Sequence, residues 1–267
     1  MIQVGYFQFK PVFGRTQKNL KKVINKIKEV DADLIVLPEL AFSGYYFKDR
    51  DEVKTLSEDP GNSSTFESLI SLCHDRDLYL ITGFAEKAQD KYFNSAALIG
   101  PQGIVHIYRK LHLFFEEKNW FDPGDISLQV QEVRGAKLGI MICFDWFFPE
   151  VMRILTIKQA DIICHPSNLV LSYCQQSMLS RSIENIVFVI TANRFGEDKR
   201  PHGTLKFTGK SQIVAPKGIL LHRAHSQREV LFITDIDPDL ARDKNITSLN
   251  QIITDRRPEF YKSLSQH

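Results

Sequence analysis

Three residues of types used in hydrolytic catalysis each lie at the end of an apolar run of the chain. Glu39 stands directly after one run, Lys110 follows a second, and Cys143 closes a third. A carboxylate, an ammonium group and a thiol supply a base, a charge that stabilises an anion, and a nucleophile, which acyl transfer requires. These residue types therefore predict a thiol-dependent hydrolase if the fold brings them together.

Taken singly, each of these residues also has an ordinary structural interpretation. A carboxylate after a strand can simply mark the exit of the chain from a sheet, lysine is usually solvated, and cysteine is most often buried and inert. Their shared position favours chemistry, because ligands of open α/β sheets bind beyond the carboxyl ends of strands. Cys143 also precedes an aromatic turn and a helix, where backbone N–H groups can lower a thiol pKa and bind an oxyanion.

The segments around these positions resemble the motifs of the nitrilase superfamily of carbon–nitrogen hydrolases, and small archaeal-type nitrilases most of all. The matching segments are 37–39 with 43–45, 108–110 with 112–114, and 142–145 with 149–150. Further matches at 165–168, 181–185 and 256–261 extend the resemblance over essentially the whole chain. Order and spacing agree as well as residue type.

The resemblance implies a role for each residue. Cys143 would attack the substrate carbon, Glu39 would take the thiol proton, and Lys110 would stabilise the developing charge. The family usually has a second glutamate after the lysine motif, which helps to position the substrate and the lysine. Glu116 and Glu117 both fit that description, and the register against archaeal-type members favours Glu117.

The predicted substrate contacts surround the nucleophile in the sequence. They are Tyr45, Phe144, Trp146, Phe147 and Asn168. The aromatic members would wall an apolar pocket, although some of them could instead pack the turn into the core. Nitrile-cleaving relatives often have Cys-Trp-Glu where this chain has Phe144 and Asp145 after its cysteine.

Substrate charge is the next question that the sequence addresses. Branches of the family that act on carboxylated substrates carry arginine near the positions of Trp146 and Phe147, and an unpaired buried carboxylate is very costly. We therefore expect small neutral nitriles or amides as substrates, with release of ammonia. An N-carbamoyl or ω-amide hydrolase is the alternative if Arg181 or Arg194 reaches the pocket, and a non-catalytic scaffold of the same fold is a second one.

Histidine residues raise the alternative of a metallohydrolase. His165 follows Cys164, and His222 lies close to His225. Zinc sites need three or four convergent ligands, and the chain has no H-x-E or CxxC pattern. The histidines are therefore interpreted as surface or structural groups, and neither a metal nor a cofactor is predicted.

The elements that must position these residues follow a β-α pattern with hairpins. Predicted strands are 2–9, 34–37, 78–81, 137–143 and 161–164, and predicted helices include 16–30, one with Phe66 and Cys73 on its buried face, 149–157 and one ending near 186. Gly83 is expected to close the strand at 78–81. Turn residues at 100–103 and 216–218 join strands directly, so the sheets should be mixed.

Two sheets face to face with helices outside them are the arrangement that this pattern favours. The resemblance implies the same α/β fold, a four-layer α-β-β-α sandwich that associates as a homodimer or larger homo-oligomer. No linker or shift in composition divides the chain, so 1–267 is predicted to be a single domain. Within it, 246–267 would form a C-terminal arm that packs on a partner subunit.

Charge and composition exclude several kinds of partner. The 34 basic and 32 acidic residues are interleaved and give a net charge of +2, so nucleic acid is not an expected partner. Lysines within 18–28 alternate with Leu20, Val23 and Ile27 at helical spacing, which predicts the solvated face of a surface helix. No apolar run is long enough for a bilayer, no signal-peptide pattern begins the chain, and the four cysteines form no CxxC pair. These features predict a cytoplasmic protein without a membrane partner.

Overall fold

The computed structural model describes residues 1–265 and contains two six-stranded mixed sheets. Across the first sheet the strands are β14 (Val230–Ile236), β1 (Ile2–Gln8), β2 (Leu34–Val36), β3 (Tyr79–Ala88), β4 (Lys91–Gly100) and β5 (Gly103–Arg109). Across the second they are β13 (Ile219–Arg223), β12 (Gln212–Ala215), β9 (Phe188–Asn193), β8 (Ile162–Ser167), β7 (Ala136–Ile140) and β6 (Val130–Val133). In each sheet three central strands are parallel and the outer strands are antiparallel.

The described residues contain seven α-helices, and helices cover the outer faces of both sheets. They are α1 (Thr16–Ile27), α2 (Arg50–Leu56), α3 (Ser64–Arg76), α4 (Glu117–Trp120), α5 (Pro149–Ile157), α6 (Cys174–Asn185) and α7 (Asp239–Arg242). Short 3-10 helices occur at Pro60–Asn62, Cys143–Phe147, Pro216–Gly218, Pro258–Phe260 and Lys262–Ser265. In α1 the apolar residues Leu20, Val23 and Ile27 are buried while its lysines are exposed, which confirms the predicted amphipathic helix.

Strand alternation explains why the core has two main layers. In β2, Leu34 and Val36 point into the layer between the sheets, whereas Ile35 points to the opposite side and packs with α1 and α3. Residues of α5 such as Leu155 belong to the core on the second sheet. The four-layer α-β-β-α sandwich is therefore confirmed.

Two local expectations about strands are wrong. Strand β3 does not end at residue 81 but continues to Ala88, and Gly83 lies within it. A Cβ atom at Gly83 would stand 2.5 Å from the Cα of Glu39. This glycine therefore allows the backbone around Glu39 to pack closely against β3, and it does not end the strand. Strand β7 ends at Ile140, so Cys143 is outside the strand, at the start of a 3-10 helix.

Other elements agree with or extend the expectations. The hairpins β4–β5 and β12–β13 form where the turn residues predict them. A third hairpin, β10 (Phe195–Arg200) with β11 (Gly203–Thr208), was not expected. Within residues 1–265, no helix is both long and apolar enough to cross a bilayer. The predicted arm at 246–267 includes residues 266 and 267, which lie outside the described residues.

Candidate active site

The predicted catalytic residues come from strand ends in both sheets. Glu39 follows β2 and Lys110 follows β5 in the first sheet, while Cys143 follows β7 in the second. All three side chains are buried, and those of Glu39 and Lys110 have no exposed surface. The packing of one sheet on the other therefore brings the carboxylate and the ammonium group to the side of the molecule where the thiol lies.

A buried cluster of charges has Lys110 at its centre. The Lys110 Nζ donates to Glu39 Oε1 at 2.7 Å and to the two Glu117 oxygens at 2.9 and 2.8 Å. Burial alone would lower the pKa of Lys110, but the Glu117 and Glu39 carboxylates outweigh it and hold that pKa above its usual value. Lys110 is therefore a permanently charged group at neutral pH.

Neutral side chains hold the two carboxylates in place. Asn94 donates through Nδ2 to Glu39 Oε1 at 2.7 Å, and Tyr45 donates its hydroxyl to Glu117 Oε1 at 2.5 Å. Glu39 Oε1 thus accepts from both Asn94 and Lys110, whereas Glu39 Oε2 has no hydrogen-bond partner among the described residues. This free oxygen is the part of Glu39 that can accept a proton.

The surroundings of Cys143 favour the neutral thiol over the thiolate. Burial raises the pKa of Cys143 well above its usual value, and the Glu39 carboxylate adds to this effect. The ammonium group of Lys110 and a hydrogen bond from the Asn168 backbone act in the opposite direction. Because the thiol does not ionise spontaneously near neutral pH, it must lose its proton to a neighbouring base before it can react.

A strained turn carries Cys143, the predicted nucleophile, and is held by Asp145. Cys143 has a φ of 40°, in the left-handed region that side chains other than glycine rarely adopt. The buried Asp145 carboxylate accepts from the Ile142 backbone N–H at 2.9 Å and from the Tyr108 hydroxyl at 2.8 Å. It also accepts from the His112 backbone N–H at 3.1 Å and lies 2.8 Å from His112 Nδ1. Asp145 thereby joins the nucleophile turn to the segment that contains Lys110.

A narrow cavity lies beside the thiol. Its volume is about 10 Å³, which is room for roughly one water molecule. The lining residues are Phe114, Cys143, Phe144, Trp146, Asn168, Leu169, Val170 and Leu171. The lining is apolar except for the thiol and the Asn168 amide.

Comparison with known proteins identifies the family to which this arrangement belongs. Residues 3–245 match the model of the carbon-nitrogen hydrolase family. The chain belongs to the carbon-nitrogen hydrolase family. It is 42% identical to a nitrilase of Pyrococcus abyssi over 98% of this chain and 99% of that protein.

Other relatives place this carbon-nitrogen hydrolase among enzymes of the same kind. An (R)-stereoselective amidase of Pseudomonas is 32% identical over 85% of the chain and 81% of that protein. A solved carbon-nitrogen hydrolase from Helicobacter pylori G27 superposes with a TM-score of 0.89, at 25% identity, and covers 100% of this chain and 98% of that one. The protein is therefore a nitrilase-type hydrolase of carbon–nitrogen bonds.

The predicted substrate contacts of this hydrolase occupy different places. Phe144, Trp146 and Asn168 line the cavity beside the thiol. Tyr45 is buried, does not line that cavity and donates its hydroxyl to Glu117. Phe147 is 50% exposed, packs against its aromatic neighbours and does not line that cavity. Phe147 reaches the surface because it lies on the outer side of the short 3-10 helix that begins at Cys143.

The structure also distinguishes Glu117 from Glu116 and shows what Arg181 and Arg194 contact. Glu117 contacts Lys110, whereas Glu116 is the residue just before α4 and makes no side-chain hydrogen bond with the lysine. The Arg194 guanidinium is buried against both Asp198 oxygens at 2.8 Å. Arg181 donates to Glu184 at 3.0 Å, and neither arginine lines the cavity.

The histidines serve structural contacts in this hydrolase. His165 Nε2 lies 2.9 Å from the Cys143 backbone oxygen, and its Nδ1 lies 3.2 Å from the Thr191 hydroxyl. His222 contacts the Tyr6 hydroxyl at 2.7 Å and stacks on Phe232. Residues 1–265 contain no group of three or more histidine, cysteine, aspartate or glutamate side chains arranged to hold a metal ion.

Sequence reasoning missed several residues of the site. Asn94 and Asp145 act only by holding other residues, and the residues that they hold are distant in the chain. Their importance is therefore hard to recognise in the sequence. The motif match includes Asp145 but does not say what it binds. A polar residue on a buried strand, such as Asn94 on β4, is the signal that would have suggested a partner in the site.

Proposed function

We propose that this carbon-nitrogen hydrolase cleaves small neutral amides or nitriles with Cys143 as nucleophile, Glu39 as base and Lys110 as the stabilising cation. The observation that carries the proposal is the state of Glu39. One of its oxygens is engaged by Lys110 and Asn94, and the other is buried without a partner. Such an oxygen is poised to take a proton from the neutral thiol beside it.

The reaction of an amide then proceeds in two halves. Glu39 removes the thiol proton, the Cys143 sulfur attacks the carbonyl carbon, and the negative charge on oxygen is stabilised by Lys110. Glu39 returns the proton to the amide nitrogen, the carbon–nitrogen bond breaks, and ammonia leaves a thioester. Glu39 next removes a proton from water, which attacks the thioester and releases the carboxylic acid and the thiol.

Glu117 and Tyr45 support this chemistry without receiving the thiol proton. Burial raises the pKa of Glu117, Lys110 lowers it, and Glu39 raises it again, with the net result above its usual value. Two short contacts nevertheless join Glu117 to the Lys110 ammonium group. Glu117 therefore fixes the position of the Lys110 ammonium group, which interacts with the carboxylates of both Glu117 and Glu39.

Substrate size and charge follow from the cavity walls. The cavity beside the thiol is lined by apolar side chains, including Phe144 and Trp146, and among the described residues no cationic side chain other than the proposed catalytic Lys110 is available to it. Arg194 is occupied by Asp198, which leaves it unavailable to a substrate carboxylate. These features support neutral substrates over N-carbamoyl amino acids or ω-amides of dicarboxylic acids, and they require the aromatic walls to move when a substrate enters.

The proposal is tested by ammonia release from a panel of aliphatic and aromatic amides, nitriles and carboxylated amides. Cys143→Ala should abolish turnover with unchanged thermal unfolding, and Glu39→Gln should lower the rate by ~10²–10⁴-fold. Cys73→Ala, which removes a buried cysteine outside the site, is the matched control and should retain activity. Highest kcat/KM for carboxylated substrates, or full activity of either active-site variant, would contradict the proposal.

Assembly and location complete the proposal. A homodimer or larger homo-oligomer is supported by exposed apolar residues on and next to α5 and α6, including Ile154, Ile157 and Ile183. The chain from 246 onward also exposes Leu249 and Phe260, which supports its role as an arm on a partner subunit within the single domain 1–267. A cytoplasmic location is supported by four free cysteines.

A further inference from the structure

An unpaired acceptor lies in the wall of the cavity. Asn168 is 2% exposed, and its Nδ2 donates to the Glu39 backbone oxygen at 2.8 Å. A carbonyl oxygen can only accept, so this bond fixes which end of the Asn168 amide is nitrogen. The other end, Oδ1, is buried and has no hydrogen-bond partner among the described residues.

The surroundings of Asn168 connect this acceptor with the reacting atoms. Asn168 lines the same narrow cavity as Cys143. Its side chain holds the backbone of Glu39 through Nδ2, and its backbone N–H contributes to lowering the pKa of the Cys143 thiol. Asn168 therefore lies next to both the proposed nucleophile and the proposed base, and it forms part of the wall that a substrate bonded to the sulfur must face.

The chemistry of a free acceptor restricts what can satisfy it. A carbonyl-type oxygen needs an N–H or O–H donor, and a buried acceptor that stays unpaired weakens binding. A primary amide carries two N–H groups on the atom that leaves, whereas an ester or a nitrile with the same acyl part carries none there. Among neutral substrates the amide alone pairs this oxygen before any bond is broken.

We propose that Asn168 Oδ1 accepts a hydrogen bond from the leaving amino group, and that this contact selects primary amides over nitriles and esters of the same acyl group. The inference rests on the proposed attack by Cys143. As Glu39 delivers its proton, the amide nitrogen gains positive character, so its N–H becomes a stronger donor and the contact tightens as the bond breaks. Asn168 thus stabilises the transition state for loss of ammonia.

The experiment compares three substrates with one acyl group: propionamide, propionitrile and methyl propionate. The wild type should have a higher kcat/KM for propionamide than for propionitrile. Asn168→Leu, which keeps the branched shape and the number of heavy atoms of the side chain but removes the acceptor, should lower kcat/KM for propionamide about 10- to 100-fold more than for methyl propionate. The comparison within one variant removes any general effect of losing the bond to Glu39, because that loss slows all three substrates.

A second variant separates acceptor loss from structural damage. Asn168→Asp keeps an acceptor oxygen, so it should retain the wild-type ratio of amide to ester even if every rate falls. Asn168→Ala replaces the leucine variant if thermal unfolding shows that the latter is not folded. Equal losses on all three substrates, or a wild type that favours propionitrile, would overturn the inference. Failure of the proposed function is distinct, because the wild type would then release no product from any of the three.

Discussion

Lys110 illustrates how an ordinarily solvated residue becomes part of a buried site. Removing an ammonium group from water is costly unless opposite charges and hydrogen bonds replace the lost hydration. Glu39 and Glu117 supply both, through contacts between 2.7 and 2.9 Å. The cluster carries two carboxylates for one ammonium group, so a neutral thiol is easier to accommodate beside it than a thiolate. In the proposed mechanism Cys143 therefore depends on a base instead of ionising by itself.

Glu117 and Glu116 form a natural pair for mutation, because they are adjacent and only Glu117 reaches Lys110. Glu117→Gln removes a charge from the cluster, so the ammonium group should turn towards Glu39 and hold the base more tightly. We expect kcat to fall about 10²-fold through this displacement. Glu116→Gln should remain near the wild type. Steady-state kinetics of the two variants provide the measurement, and similar activities would contradict the role given to Glu117.

His165 links the nucleophile turn to acid stability. Burial lowers the pKa of His165 to about 4, whereas the unfolded chain takes up this proton near pH 6.5. Between these values the unfolded state binds more protons, so the free energy of unfolding falls as the pH decreases, by up to about 1.4 kcal/mol per pH unit. His165→Gln should remove this contribution and flatten the slope.

Urea unfolding at several values between pH 4 and 7 measures the slope. The comparison must be made with the wild type, because other groups also titrate in this range. His225→Gln, at an exposed histidine, is the control for the same substitution away from the turn. If His165→Gln has the wild-type slope, the buried imidazole is not the group responsible.

At the scale of residues, the sequence predicts the reactive groups better than their supports. Glu39, Lys110 and Cys143 are recognisable because their chemistry is required and each follows an apolar run. Asn94 is not, because its amide has meaning only through a partner 55 positions away. Glu117 could be chosen over Glu116 only from its alignment with the family motif, because a single sequence does not show which of two adjacent glutamates is buried.

Close packing of neighbouring elements fixes the position of Glu39, and strand β3 shows this most directly. Gly83 lies opposite the backbone of Glu39, where even a methyl group would stand 2.5 Å from the Glu39 Cα. Gly83→Ala should displace Glu39, lower activity by about 10²-fold and reduce stability by roughly 1–3 kcal/mol. Kinetics and denaturant unfolding test both effects.

The matched control is Gly61→Ala, because the nearest atom to an added Cβ there is 3.5 Å away. That distance is an ordinary contact, so neither activity nor stability should change appreciably. An active Gly83→Ala enzyme with normal stability would show that the strand can move away from Glu39 without consequence.

The nucleophile turn depends on Asp145 in a comparable way. Cys143 holds a backbone conformation that costs about 1–3 kcal/mol, and the Asp145 carboxylate offsets this by accepting from several donors around the turn. Asp145→Asn turns one acceptor into a donor, so we expect a stability loss of roughly 1–3 kcal/mol and a lower rate of Cys143 alkylation by iodoacetamide. Tyr108→Phe removes a single donor and should have a smaller effect on both. Equal effects of the two variants would contradict a central role for Asp145.

Elements with local signals were predicted well, and those defined by distant contacts were not. The hairpin β4–β5 follows from its turn residues, and α5 begins at Pro149 as expected. A glycine usually interrupts a strand, so Gly83 was interpreted as an end, although its real constraint is the backbone of Glu39 on another segment. The hairpin β10–β11 is charged and half-exposed, so it lacks the apolar pattern on which strand prediction depends.

At the scale of the molecule, the face-to-face sheets create one site from both halves of the chain. Glu39 and Lys110 follow strands of the first sheet and Cys143 follows a strand of the second, so the packed layer between the sheets sets their separation. The helices on the second sheet then present apolar residues outward, among them Ile154 on α5 and Ile183 on α6. This surface adjoins the nucleophile turn, where Phe147 is also exposed. Association through it would cover apolar area next to the site.

Ile154 tests this association against a residue of equal exposure elsewhere. Ile154 on α5 and Val12, just before α1, are both 41% exposed. A charge placed inside an apolar interface loses its hydration, so Ile154→Glu should shift the protein towards monomer, whereas Val12→Glu should not. Size-exclusion chromatography with light scattering at micromolar concentration measures the mass of each variant. A wild type that is monomeric under these conditions would refute the homo-oligomer, and an equal response of both variants would move the interface away from α5.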